Sequence, residues 1–181
     1  MRRTLVLAAL LTLTCTVNAA DLSPADKTFF DQHISDVVKI EPTLIDAPAV
    51  QTVFAVPFYN VTIEIKEGDG NQTQQLVLVR MGDHLASATR PSSDAELPDF
   101  PKMIKPSFKL KTDDDAKALQ SALDATCPIV GDDDKKAEKF THNGNEWHFI
   151  RGKFFDKQLG YILTTNDDGA ITSAKFTLQL P

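Results

Sequence analysis

The sequence predicts an α+β protein of two tandem repeats, each a helix packed on an antiparallel β-sheet of about four strands. Three observations predict it. The stretch from Trp147 to Leu180 reads as successive strands separated by turn residues. Two segments, beginning at Ser23 and Thr112, place helix-start residues ahead of an apolar stripe. A shift of 86 residues places Pro42 on Pro128, Val37 on Leu123, Phe54 on Phe140, Val61 on Trp147, Ile63 on Phe149 and Leu85 on Ile171, so apolar pattern and proline position recur.

The chain opens with Met1-Arg2-Arg3, an apolar run from Leu5 to Leu13, and Val17-Asn18-Ala19. These are the charged, apolar and small-residue regions of a secretory signal peptide, expected over residues 1–20 with cleavage after Ala19 or Ala20. The apolar run is shorter than the ~20 residues that span a bilayer, so no membrane insertion is expected. Thr12 stands where a lipobox ahead of Cys15 wants an aliphatic residue, which argues against lipidation. The mature protein is expected to be exported, either periplasmic or secreted. Loss of Arg2 and Arg3 leaves 17 basic residues against 25 acids, a formal charge of −8. That sign disfavours nucleic acid and anionic lipid as partners. Cys127 is then the single cysteine, so no intramolecular disulfide is expected.

The first repeat is expected over residues 21–90. Ser23 is an N-cap, Pro24 sits at the first helical position, and Phe30, Ile34, Val37 and Val38 form the stripe that Pro42 stops. Val53-Phe54-Ala55-Val56 and Val61-Thr62-Ile63-Glu64-Ile65 read as strands, with Glu67 to Asn71 as a turn. Leu76-Val77-Leu78-Val79 is apolar on both faces and belongs in a central strand, and Gly82-Asp83 turns it into Leu85-Ala86-Ser87-Ala88. Residues 91–108 hold Pro91, Pro98, Pro101 and Pro106 without periodicity and read as a linker. The second repeat, 109–181, starts a helix at Thr112 with the stripe Ala116, Leu119, Ala122 and Leu123. It ends in the Trp147–Leu180 meander, whose Asn166-Asp167-Asp168-Gly169 supplies a turn.

In its order of elements the mature chain resembles the tandem helix-plus-sheet layout of β-lactamase-inhibitory-protein-like and PepSY-like exported modules. No sequence motif of either family is matched, so no functional residue is carried over from them.

No nucleophile context is present. There is no Gly-x-Ser-x-Gly, and Cys127 lies at a helix end beside Pro128, away from the positive N-terminus that would lower its pKa. The acidic runs Asp113–Asp115, Asp132–Asp134 and Asn166–Gly169 lack the alternating ligands and distal Glu of a calcium loop. His33 and His84 read as a stripe-flanking and a loop residue. His142, Glu146 and His148 hold the ingredients of a zinc site only if both histidines share one side of a hairpin and a third ligand comes from elsewhere. No metal or other cofactor is therefore assigned.

A sheet face remains. With Trp147 and Phe149 turned to the core, His148 and Ile150 face outward, and the sequence reading adds Arg151, Phe154, Phe155 and Tyr161 as partner-binding residues. The leading expectation is a non-catalytic exported binding protein of the inhibitor, immunity or adaptor kind, using that face or the groove between the repeats, with another protein as partner. The alternatives are a carrier of a small apolar ligand, suggested by 11 phenylalanines, and a metal-assisted hydrolase using His142, His148 and Glu146.

Overall fold

Alternating apolar and polar residues in each half form two antiparallel sheets, and a few short helices fill the space between them. The computed structural model describes residues 24, 25, 28, 39–67, 70–82, 84–88, 93–126, 140–154 and 157–180. The expected signal peptide, His33, Cys127, Asp132–Asp134 and Phe155 lie outside the described residues. So does most of the expected first helix, of which Pro24, Ala25 and Thr28 are described and helical.

The elements in chain order are β1 (Lys39–Leu44), α1 (Pro48–Val53), β2 (Phe58–Glu67), β3 (Gly70–Met81), β4 (His84–Ser87), β5 (Ala95–Glu96), α2 (Phe100–Met103), α3 (Asp113–Thr126), β6 (Phe140–Asn143), β7 (Glu146–Phe154), β8 (Lys157–Thr165) and β9 (Ile171–Thr177). One sheet has the order β1-β2-β3-β4 and the other β5-β9-β8-β7-β6. The fold is thus α+β, with antiparallel sheets and few helices. A shift of 86 residues carries β2, β3 and β4 onto β7, β8 and β9. However, α1 lies between β1 and β2 while β5 joins the second sheet, so the described elements do not repeat one for one.

β3 is an inner strand, as its two apolar faces require. Val77 and Val79 join Phe58 in the main core, while Leu76 and Leu78 pack with Tyr59, Val61 and Ile63 in a smaller cluster on the other face. Pro42 does not stop a helix. It lies in β1 opposite Val61, and β1 is an edge strand, where a residue without an N–H is tolerated. Nor do Val53 to Val56 form a strand. Val53 closes α1, and Phe54 makes an isolated bridge with Ile104.

The proline-rich stretch is woven into the core. Ala95 and Glu96 pair with Phe176 and Lys175 of β9, and Phe100 and Ile104 are buried. Rings run from one sheet to the other through this stretch. Phe58 meets Phe54 at 4.7 Å, Phe54 meets Phe100 edge-on at 6.2 Å, Phe100 stacks on Tyr161 at 6.0 Å, and Tyr161 meets Phe176 at 5.4 Å. Tilted and edge-on pairs of this kind add about 0.5–1.5 kcal/mol each beyond area burial. Asp94 fastens the same stretch to the end of β9. It accepts the Leu178 N–H at 2.7 Å and the Thr177 hydroxyl at 3.2 Å, and the Leu178 bond chiefly holds its carboxyl below the usual range.

α3 begins where the sequence places it, in a capping box. The Asp115 N–H donates to Thr112 Oγ1 at 3.2 Å, and Asp115 Oδ2 accepts from the Thr112 N–H at 2.9 Å, its hydroxyl at 2.7 Å and the Lys111 N–H at 3.1 Å. The buried stripe Ala116, Leu119, Ala122 and Leu123 joins Trp147, Phe149 and Leu163 in the main core.

Candidate functional site

Side chains alternate along β7, and directly paired residues share a face, so the register defines the outer surface of the second sheet. One row across it is Thr141, His148, Ile162 and Lys175, with Glu96 next to Lys175 on the edge strand. The next row pairs Ile150 with Gly160. Gly160 itself carries no side chain, but Leu180 Cδ1 lies 3.0 Å from where its Cβ would be, and Ile162 stands diagonally across from Ile150. Both isoleucines are half-buried. The His148 Nε2–H donates to Glu146 Oε1 at 2.7 Å, two residues along the same strand, which orients the imidazole on this face.

Of the six residues that the sequence reading assigned to a partner, the structure brings His148 and Ile150 together here. Arg151 belongs to the inner face. It sits at the β-bulge between Ile150 and Gly152, its side chain is 2 % exposed, and it donates to Asp124 and to the Leu123 carbonyl of α3, which packs on that face. Tyr161 is also inside, because it pairs directly with Phe149 on one side and Phe176 on the other. Phe154 ends β7 with only its backbone described. Ile162 and Lys175 were missed. The signal for Ile162 was present in the alternation, since its neighbours Tyr161 and Leu163 both point inward.

The two histidines of the hydrolase reading lie on opposite faces of the hairpin. His142 pairs with Trp147 on the inner side and His148 pairs with Thr141 on the outer side, so one metal ion cannot be held by both. Among the described residues no group of three or more His, Cys, Asp or Glu is placed to hold a metal.

A second feature lies at the turn end of the same sheet. Leu110 and Lys111, the β6–β7 turn and the β8–β9 turn line an open cleft of about 220 Å³. Its floor is Trp147, 2 % exposed, on which the His142 ring stacks at 4.2 Å and 19°. His142 Nε2 also lies 3.9 Å from Asp113 Oδ1 at the start of α3. The walls are tied to one another. Leu110 N–H donates to the Gly169 carbonyl at 2.8 Å, Thr165 N–H to the Asn145 carbonyl at 2.9 Å, and Asn145 Nδ2–H to Asp167 Oδ1 at 3.3 Å. The Asn166 side chain accepts the Asp168 and Ala170 N–H groups, which shapes the β8–β9 turn.

No family model, no curated protein and no solved structure matches this chain. No helix among the described residues is long and apolar enough to cross a membrane.

Proposed function

We propose that this chain is an exported, non-catalytic binding protein of the inhibitor, immunity or adaptor kind, whose partner is another protein docking on the outer face of the five-stranded sheet. The observation that supports this reading is the pair Ile150 and Ile162, half-buried beside Gly160, with His148, Glu146 and Lys175 around them and Glu96 beyond Lys175. An apolar centre with a polar, charged rim is the anatomy of a protein interface. The sequence pattern of a signal peptide supports an exported destination, and the acidic composition supports a partner that is neither nucleic acid nor anionic lipid. The cavity at the turn end is lined largely by polar side chains, which lends no support to a carrier of apolar molecules.

The test places a photo-crosslinking side chain at Ile150 in protein expressed in its own host, with Ile162→Glu as the comparison. A discrete crosslinked protein that disappears in Ile162→Glu supports the reading. Crosslinking that the substitution leaves unchanged, or no crosslinked protein at all, overturns it.

A further inference from the structure

We propose that the cavity between α3 and the two turns binds a small zwitterion of the α-amino acid type, at a site separate from the outer sheet face. Two charges of opposite sign line it, Lys111 from the irregular segment leading into α3 and Asp167 from the β8–β9 turn. Among the described residues the Lys111 amine takes part in no hydrogen bond or ion pair. Asp167 accepts one hydrogen bond, from Asn145. A ligand carrying a carboxylate and an ammonium group a few ångströms apart offers each wall its complement, and charge-assisted hydrogen bonds are the stronger class.

The position of Lys111 is built into the turn. Gly169 has a φ of +76°, and a Cβ there would lie 2.4 Å from Lys111 Cγ, so the lysine stem runs across the glycine where any other residue would displace it. The Lys111 N–H is bound to Asp115 Oδ2, and the neighbouring Leu110 N–H to Gly169. Asp167 is held through Asn145, whose carbonyl accepts from the Thr165 N–H. Both charges are thereby carried on a braced frame, which lowers the ordering cost of binding. The volume suits a small ligand. About 220 Å³ is below the ~300–1,000 Å³ of sites for drug-sized molecules. His142, backed by Trp147, supplies a flat wall for a short side chain.

Trp147 is the single tryptophan, so its emission and its indole N–H resonance report on this cavity directly. The purified protein is titrated with glycine and L-alanine, and with glycolate, acetate and methylammonium as ligands lacking one of the two charges. Saturable changes are expected for the amino acids with a dissociation constant of about 1 mM, the range open to so small a ligand. The single-charge compounds should bind roughly tenfold more weakly, as should either amino acid to Lys111→Gln or Asp167→Asn, through loss of one charge-assisted bond. Lys111→Gln keeps the stem over Gly169, and Asp167→Asn keeps an acceptor for Asn145, so both should fold. If one does not, the other decides alone. Ile162→Glu should bind as wild type does. No saturable change with either amino acid, glycolate binding as tightly as alanine, or unchanged affinity in the variants each overturns the proposal.

Discussion

Arg151 in β7 donates its Nη1–H to Asp124 Oδ1 at 2.5 Å and its Nη2–H to the Leu123 carbonyl at 3.0 Å, joining the second sheet to the last turn of α3. The guanidinium is buried while the carboxylate is 36 % exposed, so the pair is half in water. The cation also lies beside the negative end of the helix, where it is favoured.

Removing the carboxylate leaves a buried cation with one anchor fewer. Asp124→Ala should cost about 2 kcal/mol, below the ~3–5 kcal/mol of a fully buried pair because water reaches Asp124. Arg151→Met, which keeps the packed stem, should cost less than Asp124→Ala. Urea unfolding midpoints of the two variants give the order directly.

Phe100 carries the ring contacts from Phe54 to Tyr161. Phe100→Ala should cost about 3–5 kcal/mol, the range for a large ring removed from a core. Phe100→Leu should recover roughly half by refilling volume without the ring contacts. Because the residue joins the two sheets, Phe100→Ala is expected to unfold less cooperatively by calorimetry, with a van't Hoff enthalpy below the calorimetric one.

Asp115 sets a pH dependence. Burial pushes its carboxyl up, but the Thr112 hydroxyl and the Lys111 and Thr112 amides together outweigh burial and hold it below its ordinary value of 3.8. A depressed carboxyl stabilises the fold fully above its unfolded pKa and loses that contribution as pH falls through its folded pKa. The stability gap between wild type and Asp115→Asn should therefore be constant at neutral pH and close as pH drops below 3.8. Thr112→Ala should cost about 1 kcal/mol at neutral pH through loss of the cap. Denaturant curves over an acid series measure both.

Gly169 has two reasons to be glycine, its φ of +76° and the Lys111 stem. Gly169→Ala should cost about 1–2 kcal/mol from the backbone conformation alone, with the steric contact adding to it. In a Lys111→Ala background the steric part should vanish and the backbone part persist. A double-mutant cycle on thermal unfolding separates them, and additive costs would refute the contact.

Much of the second half was legible because its signals are local. The alternation of Trp147 to Ile150, the turn residues Asn166 to Gly169 and the Thr112 cap each encode their structure within a few residues, and β7, β9 and α3 formed accordingly. The same alternation ends at the β-bulge between Ile150 and Gly152, so it does not place Arg151. What it could not supply was the partner of each strand. Ala95-Glu96 is too short to show a period and is a strand only because β9 lies beside it, and Pro42 is admitted to β1 only because that strand is an edge.

The sequence alone sufficed for the α+β class, the faces of Trp147 to Ile150 and the start of α3, since propensity, periodicity and capping act over one or two turns of chain; it misplaced Arg151, which the β-bulge turns toward α3. Tertiary structure alone decided that residues read as a linker carry the rings joining the two sheets, and that His142 and His148 stand on opposite faces. It alone brought Lys111, Asn145 and Asp167 around one cavity. Those three come from separate segments, and their approach depends on backbone hydrogen bonds between turns that no local pattern records.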